Sequence, residues 1–338
     1  MKIIIPVAGL GSRLKPHTFS TPKPLMIVAG KPILEYVLDE VSNLKPDEVI
    51  LVVGYHKEKV QEYVENKFPE LNVKFVEQKV MDGDGGAIRL ALQNTFEDDS
   101  LYIIFGADTL VDFNLKKELQ KNKNSDLLIF GMEVENPEHY GVMNIDENLN
   151  VYEVEEKPMN PKSNLAIIGA YYFKSALKVK ESLNHFYEKE IKVKDEYKLV
   201  QVIGKYIRDK NLTVVASKVV KWFDCGRPEV LLEANKYFLE KKKTLTGINK
   251  KGNSIIISPS YVSISAKLDR CIIGPNVSIG DNVELKNVIV ENSVIGKNSI
   301  ITGFVLKNSL IGREVFLLGS PTKYNIGDKS EIKFKSEN

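Results

Sequence analysis

Apolar runs and amphipathic stretches alternate along the first 240 residues. The continuous apolar run "KIIIPV" (Lys2–Val7) predicts a buried strand. In "KPILEYVLDEV" (Lys31–Val41), residues Ile33, Leu34, Val37, Leu38 and Val41 fall on one helical stripe, with Pro32 suited to the first turn. "EVILVVG" predicts a second strand, "KEKVQEYVENKF" a helix, "VKFVEQ" a strand, "GAIRLALQNTF" (Gly86–Phe96) a helix and "LYIIFGAD" a strand. Strands separated by helices of this length argue for an α/β fold with a mostly parallel, Rossmann-like sheet. Ligands of such sheets sit outside the carboxyl ends of the strands. The loop after "KIIIP" and Asp108 both fall at such ends.

The pattern changes after residue 250. "IIGPNV", "SIGDNV", "VIGKNS" and "LIGREV" recur, and Ile273, Ile279 and Leu285 keep a six-residue spacing. A branched aliphatic residue every six positions predicts a parallel β-helix, each hexad forming one flat face of a triangular coil. The ten-residue intervals Leu285–Ile295 and Ile301–Ile311 predict loops or longer faces at the corners. So few coils would need their ends covered by the first domain or by another subunit. The expected division is a first domain over residues 1–240, a linker over 241–253 and a β-helix over 254–338.

Bulk properties narrow the function. A chain of 338 residues exceeds what one core usually supports, in agreement with two domains. A formal charge of +2 with 27% charged residues gives no reason to expect a nucleic-acid partner, which normally needs a clustered basic face. Cys225 and Cys271 are far apart, which excludes the common zinc spacings and argues against a disulfide framework. The apolar part of the N-terminus is too short for a signal sequence, and no run approaches the ~20 apolar residues of a membrane span. A reducing cytoplasm is the expected location.

The candidate chemistry begins in "VAGLGSRLKPHTFSTPKPL" (Val7–Leu25). A dinucleotide fingerprint is not completed, because Leu14 stands where the third glycine would be. A P-loop is excluded because Pro32 follows Gly30-Lys31. Gly9 and Gly11, next to Ala8, leave backbone N–H groups open to an anion. Arg13 offers a planar fork for phosphate oxygens, and Lys23 is constrained between Pro22 and Pro24. These features describe a polyphosphate cradle; the alternative is a surface loop whose cations bind nothing.

"GLGSRLKPHTFSTPKPLMIVAGKPILEY" resembles the signature of the sugar-1-phosphate nucleotidyltransferases, GxGxRLxPxTxxxPKPL followed by a GKP helix start. The resemblance continues in order through "FGAD", "YGVMNID", "VEEKP", "AIIGAYYF" and "WFDCGRPEVLLEAN", with Arg227 where the family has Thr. It implies a GT-A-like nucleotidyltransferase sheet followed by a short left-handed β-helix, within a homo-oligomer. It also implies a reaction in which a sugar-1-phosphate oxygen attacks the α-phosphorus of a nucleoside triphosphate and releases pyrophosphate. Arg13 and Lys23 would stabilise the phosphate charge, while Ala8, Gly9, Gly11, Gln78 and Gly83 would hold the nucleotide. Gly141, Glu156, Lys157 and Gly169 would hold the sugar phosphate, and Asp108 and Asp224 would hold Mg²⁺. The plainer alternatives are a helix N-cap at Asp108 and a turn at Asp224.

Gln78 matches a residue that reads the pyrimidine edge in thymidylyl and uridylyl branches, so dTTP or UTP with glucose-1-phosphate is expected. Two segments depart from the family: Asp82, Asp84 and Gly85 in "MDGDGGA", and Val200 and Gln201 in "EYKLVQ". They leave a mannose-1-phosphate guanylyltransferase as the nearest alternative. A non-catalytic sugar-nucleotide sensor would be expected to have lost one of the charged residues. All four histidines precede residue 200, so the tail lacks the histidine of hexapeptide acyltransferases.

Overall fold

The computed structural model describes residues 1–95, 97–106, 109–193, 195–242 and 248–319. The chain divides into two units between Phe238 and Leu239. The strands of the first unit are β1 (Lys2–Pro6), β2 (Ile27–Val28), β3 (Lys31–Pro32), β4 (Glu48–Val53), β5 (Val73–Glu77), β6 (Leu101–Ile104) and β7 (Thr109–Asp112). They continue as β8 (Leu127–Glu133), β9 (Gly141–Ile145), β10 (Val151–Glu156), β11 (Leu165–Phe173), β12 (Val214–Lys218) and β13 (Lys221–Asp224). The helices are α1 (Ile33–Ser42), α2 (Lys57–Lys67), α3 (Asp84–Ala91), α4 (Leu115–Lys121), α5 (Ala176–Glu188), α6 (Leu199–Arg208) and α7 (Pro228–Lys242). Among the described residues, no helix is long and apolar enough to cross a membrane.

The main sheet has the order β10-β9-β11-β6-β1-β4-β5, with β8 pairing both β11 and β12. Strands β6, β1, β4 and β5 run parallel, as the alternation of strands and helices predicts. Strand β11 is antiparallel to β6, β8 and β9. The short link from β9 to β10 joins antiparallel neighbours, whereas β11 is inserted between β9 and β6 and reaches both without a crossover helix before it.

Ile3, Ile4 and Ile5 are all fully buried, so β1 has no solvent face. Ile4 belongs to the apolar cluster that includes Ile88 of α3 and Leu199 of α6, whereas Ile3 and Ile5 belong to the one that includes Leu34 and Leu38 of α1. The predicted stripe of α1 is buried throughout. Helix α3 begins two residues before Gly86 and stops at Ala91. Its start at Asp84 sets a carboxylate in the first turn, where the helix dipole favours it. "TLVD" is strand β7, so no helix follows Asp108; Asp108 itself lies outside the described residues.

The second unit is the β-helix. Its inward residues Ile256, Val262, Leu268, Ile273, Ile279, Leu285, Val290, Ile295, Ile301, Leu306, Ile311 and Leu317 share one apolar cluster. The ten-residue intervals are therefore neither loops nor longer faces. Each is two faces of five residues, with Val290 and Leu306 as the inward residues between. Strand register confirms the shortening: Ile272 pairs with Ile289, a step of seventeen, and Ile289 pairs with Val305, a step of sixteen. Corner residues Asn276, Asn282, Asn287, Asn292, Asn298 and Asn308 all have positive φ, which asparagine tolerates better than most residues. Strand Ile248–Lys251, within the expected linker, pairs antiparallel with Ser254–Ile257.

Ile279 is fully buried inside the coils. Ile279→Ala is expected to destabilise this unit by about 2–5 kcal/mol, read as a lower urea midpoint. An unchanged midpoint would contradict the packing described.

Candidate active site

The loop after β1 is built from three 3-10 turns, Ser12–Leu14, His17–Phe19 and Lys23–Leu25. Thr18 Oγ1 donates to the Gly11 carbonyl at 3.0 Å, folding the loop back on itself. A Cβ on Gly11 would lie 3.1 Å from Cβ of Lys23, so the glycine lets the lysine stem pack beneath it. Gly9 is exposed, with open space where a side chain would be, while Ala8 is buried. The loop thus presents bare backbone to solvent and carries Arg13 outward and Lys23 inward.

Arg13 meets the turn that follows β13. A Cβ on Gly226 would lie 2.5 Å from Arg13 Nη2 and 3.0 Å from Asp224 Oδ1, so guanidinium and carboxylate stand side by side over this glycine. Lys23 is only 5% exposed. Burial pushes its pKa down to about 8, with Arg13 adding to the effect; Asp224 and Cys225 oppose it. Asp224 pairs with Thr109 in the β7–β13 ladder, next in sequence to Asp108.

One cleft is lined by Arg13, Gly141, Glu156, Lys157, Gly169 and Asp224, which come from widely separated segments. Tyr140 and Trp222 line it too and meet edge to face, with ring centroids 5.1 Å apart. The Lys157 amide donates to the Tyr140 carbonyl at 3.1 Å, fastening the "EEKP" segment to the start of β9. A Cβ on Gly141 would lie 3.1 Å from Glu156 Oε2, and one on Gly169 would lie 2.6 Å from Phe105 Cδ2. The space beside both glycines is therefore taken by neighbouring side chains.

Ala8, Gly9, Gly11, Lys23, Gln78 and Gly83 do not line that cleft. Gln78 is buried, and its Nε2 donates to Asp82 Oδ1 and the Gly83 carbonyl, both at 3.2 Å. Gly83 has φ 105°, and a Cβ there would lie 2.4 Å from the Tyr197 carbonyl oxygen. This close approach belongs to the 196–199 segment. The Tyr197 amide donates to Asp82 O at 2.8 Å, Gly85 N–H donates to Tyr197 O at 2.9 Å, and Asp84 Oδ1 accepts from the Leu199 amide at 2.8 Å. The two segments that depart from the family pattern are thus hydrogen-bonded to each other. Burial raises the pKa of Asp84, and the Leu199 amide, Lys198 and the Gly85 amide oppose that rise.

Sequence reasoning missed Gly226, Trp222, Tyr140, Thr109 and Lys198. Gly226 and Trp222 lay in "WFDCGRPEVLLEAN", Tyr140 in "YGVMNID" and Lys198 in "EYKLVQ", so each had a local signal, whereas Thr109 had none. Among the described residues there is no group of three His, Cys, Asp or Glu side chains able to hold a metal ion. Mg²⁺ is commonly held by one or two carboxylates together with substrate phosphates, and Asp224, which lines the cleft, is a carboxylate of that kind; Asp108 lies outside the described residues.

The nucleotidyl transferase family matches residues 2–241. The protein GlmU of Methanocaldococcus jannaschii, described as bifunctional, is 36% identical over 244 residues, covering 72% of this chain. The chain spans only 56% of that relative's length. A glucose-1-phosphate thymidylyltransferase of Streptomyces antibioticus is 28% identical over 312 residues, covering 84% of each chain. The crystal structure of a Bacillus anthracis protein described as a glucose-1-phosphate thymidylyltransferase has the same fold, with a TM-score of 0.61 and 23% identity; it covers 70% of this chain and 94% of its own. With 240 of its residues matched and the cleft assembled from the segments of that match, this chain belongs to the nucleotidyl transferase family.

Proposed function

We propose that this protein transfers a nucleoside monophosphate from a nucleoside triphosphate to a sugar-1-phosphate, releasing pyrophosphate. The favoured substrates are dTTP or UTP and glucose-1-phosphate. The observation that carries the reading is the single cleft in which Arg13, Glu156, Lys157 and Asp224 meet. Both substrates are anions, so the chemistry is mainly charge neutralisation and in-line positioning. Lys157 holds the phosphate of the sugar-1-phosphate, and Glu156 accepts from sugar hydroxyls. An oxygen of that phosphate attacks the α-phosphorus while the bond to the pyrophosphate oxygen breaks. Arg13 and Lys23 stabilise the charge gathering on the α-phosphate and the departing pyrophosphate.

Mg²⁺, held by Asp224 with Asp108, would supply further neutralisation of the phosphate charge. Gln78 reads a pyrimidine edge from the loop that its own amide fastens. The name of the Streptomyces relative supports this choice of substrates.

The test is pyrophosphate release by the full chain with Mg²⁺, using dTTP, UTP, CTP, GTP and ATP against glucose-, mannose-, galactose- and N-acetylglucosamine-1-phosphate. A dominant dTTP or UTP row with the glucose column is expected. A GTP row with mannose-1-phosphate would overturn the substrate choice, and silence from folded protein would overturn the activity.

A further inference from the structure

The middle of the phosphate loop is held by side chains that take no part in the chemistry above. Thr18 and Thr21 are buried, but Phe19 and Ser20 between them are exposed, Phe19 by 60%. Apolar burial therefore does not hold this part of the loop. Its carbonyls are held instead. Phe19 O accepts from Tyr55 Oη at 3.3 Å and lies 3.0 Å from His56 Nε2, and Ser20 O accepts from Lys59 Nζ at 2.6 Å. A carbonyl offers only lone pairs, so the imidazole donates from Nε2. All three donors come from the link after β4 and the first turn of α2. His56 is the N-cap of α2 with φ 55°, a left-handed conformation that residues other than glycine adopt at a cost. Two residues earlier, a Cβ on Gly54 would lie 2.8 Å from the Ala8 carbonyl oxygen, so the same link also abuts the start of the loop. The grip reaches Arg13 through one carbonyl. Gly11 O accepts from Thr18 Oγ1 and from the Leu14 amide, both at 3.0 Å, so the turn that ends at Phe19 and the turn that carries Arg13 share it.

We infer that Lys59 and His56 are positioning residues: by holding the Ser20 and Phe19 carbonyls they fix the turn from which Arg13 reaches the phosphates of the nucleoside triphosphate. The inference rests on the proposed function and deepens it. Arg13 is exposed at the end of a long side chain, and a donor to developing charge is effective only when it is already in place. A fixed turn beneath it supplies that preorganisation. The bond from the Lys59 ammonium is charge-assisted, and so stronger than one between neutral groups. Neither Lys59 nor His56 lines the cleft with Arg13, so the loop is the path between them.

The experiment compares the parent, Lys59→Arg and the double variant Lys59→Met/His56→Ala, the last also combined with Arg13→Ala. Pyrophosphate release is measured with the best pair of substrates, and hydrogen exchange over residues 12–25 is followed by mass spectrometry. The double variant is expected to lose about tenfold or more in kcat/KM for the nucleoside triphosphate, the effect of a misplaced group. The KM for the sugar-1-phosphate should stay within about twofold. Lys59→Arg keeps a charged donor and should stay close to the parent. With Arg13→Ala already present, the double substitution should cost less than about threefold, because the group it positions is gone. Exchange over residues 12–25 should quicken while the melting temperature stays within a few degrees of the parent, since neither side chain belongs to the core. An undiminished loss in the Arg13→Ala background would overturn the inference. So would parent-like turnover of the double variant, an equal rise in both KM values, or unchanged exchange. Silence of the parent with every substrate would instead remove the proposed function, and the exchange measurement would still decide whether α2 holds the loop.

Discussion

Arg13→Ala is expected to lower kcat/KM for pyrophosphate release by about 10²- to 10³-fold, the usual loss when one preorganised donor to developing charge is removed. Arg13 is exposed on a short turn, so its removal should leave the melting temperature within a few degrees of the parent. The more searching companion is Gly226→Ala. The added methyl would stand 2.5 Å from Arg13 Nη2, the tip of a flexible side chain, so the guanidinium must move while the backbone need not. A loss of about tenfold or more in kcat/KM, in a folded protein, is the expected result. Parent-like turnover in Gly226→Ala would mean that Arg13 does not act from the position it holds over this glycine.

These two variants also mark where sequence reading stops. The buried stripe of α1, the unbroken apolar run of β1 and the hexads of the tail were all legible, because each pattern repeats within a few residues and reports its own burial. The five-residue faces of the β-helix were not, since Val290 and Leu306 fall off a six-residue grid and only the strand register brings them inward. The glycines were legible as places where something comes close, but not as to what comes close. Gly83 was read as a residue that holds the nucleotide, yet it meets the carbonyl of Tyr197, more than a hundred residues away. The odd residues at 82–85 and 196–201 are likewise two halves of one contact, joined by Asp84 and the Leu199 amide, and no local pattern announces such a pairing. Arg13, Glu156, Lys157 and Asp224 were named from motif resemblance; their meeting in one cleft is a property of the fold.

Lys23→Met is expected to lose about 10²-fold or more in kcat/KM and yet to be at least as stable as the parent at pH 7. Burial, reinforced by Arg13, depresses the Lys23 pKa to about 8 from an ordinary 10.5, against the pull of Asp224 and Cys225. The folded state therefore disfavours the charged form. That cost is fully present below about pH 8, shrinks as pH rises and is gone above 10.5. At neutral pH it amounts to at most about 3 kcal/mol, reduced in the variant because Asp224 loses an attractive neighbour.

Catalysis needs the same charge that folding resists. As pH rises through about 8 the free protein loses the Lys23 ammonium, so the parent's kcat/KM should fall on an alkaline limb with that apparent pKa. A bound triphosphate favours the ammonium, so the limb of kcat should lie at higher pH than that of kcat/KM. The measurements are both profiles from pH 6.5 to 10, and urea unfolding of parent and variant across the same range. A parent profile without the limb, or a Lys23→Met variant that keeps it, would assign the titration to another group. A variant less stable than the parent at pH 7 would show that the buried ammonium is held by partners strong enough to outweigh its burial.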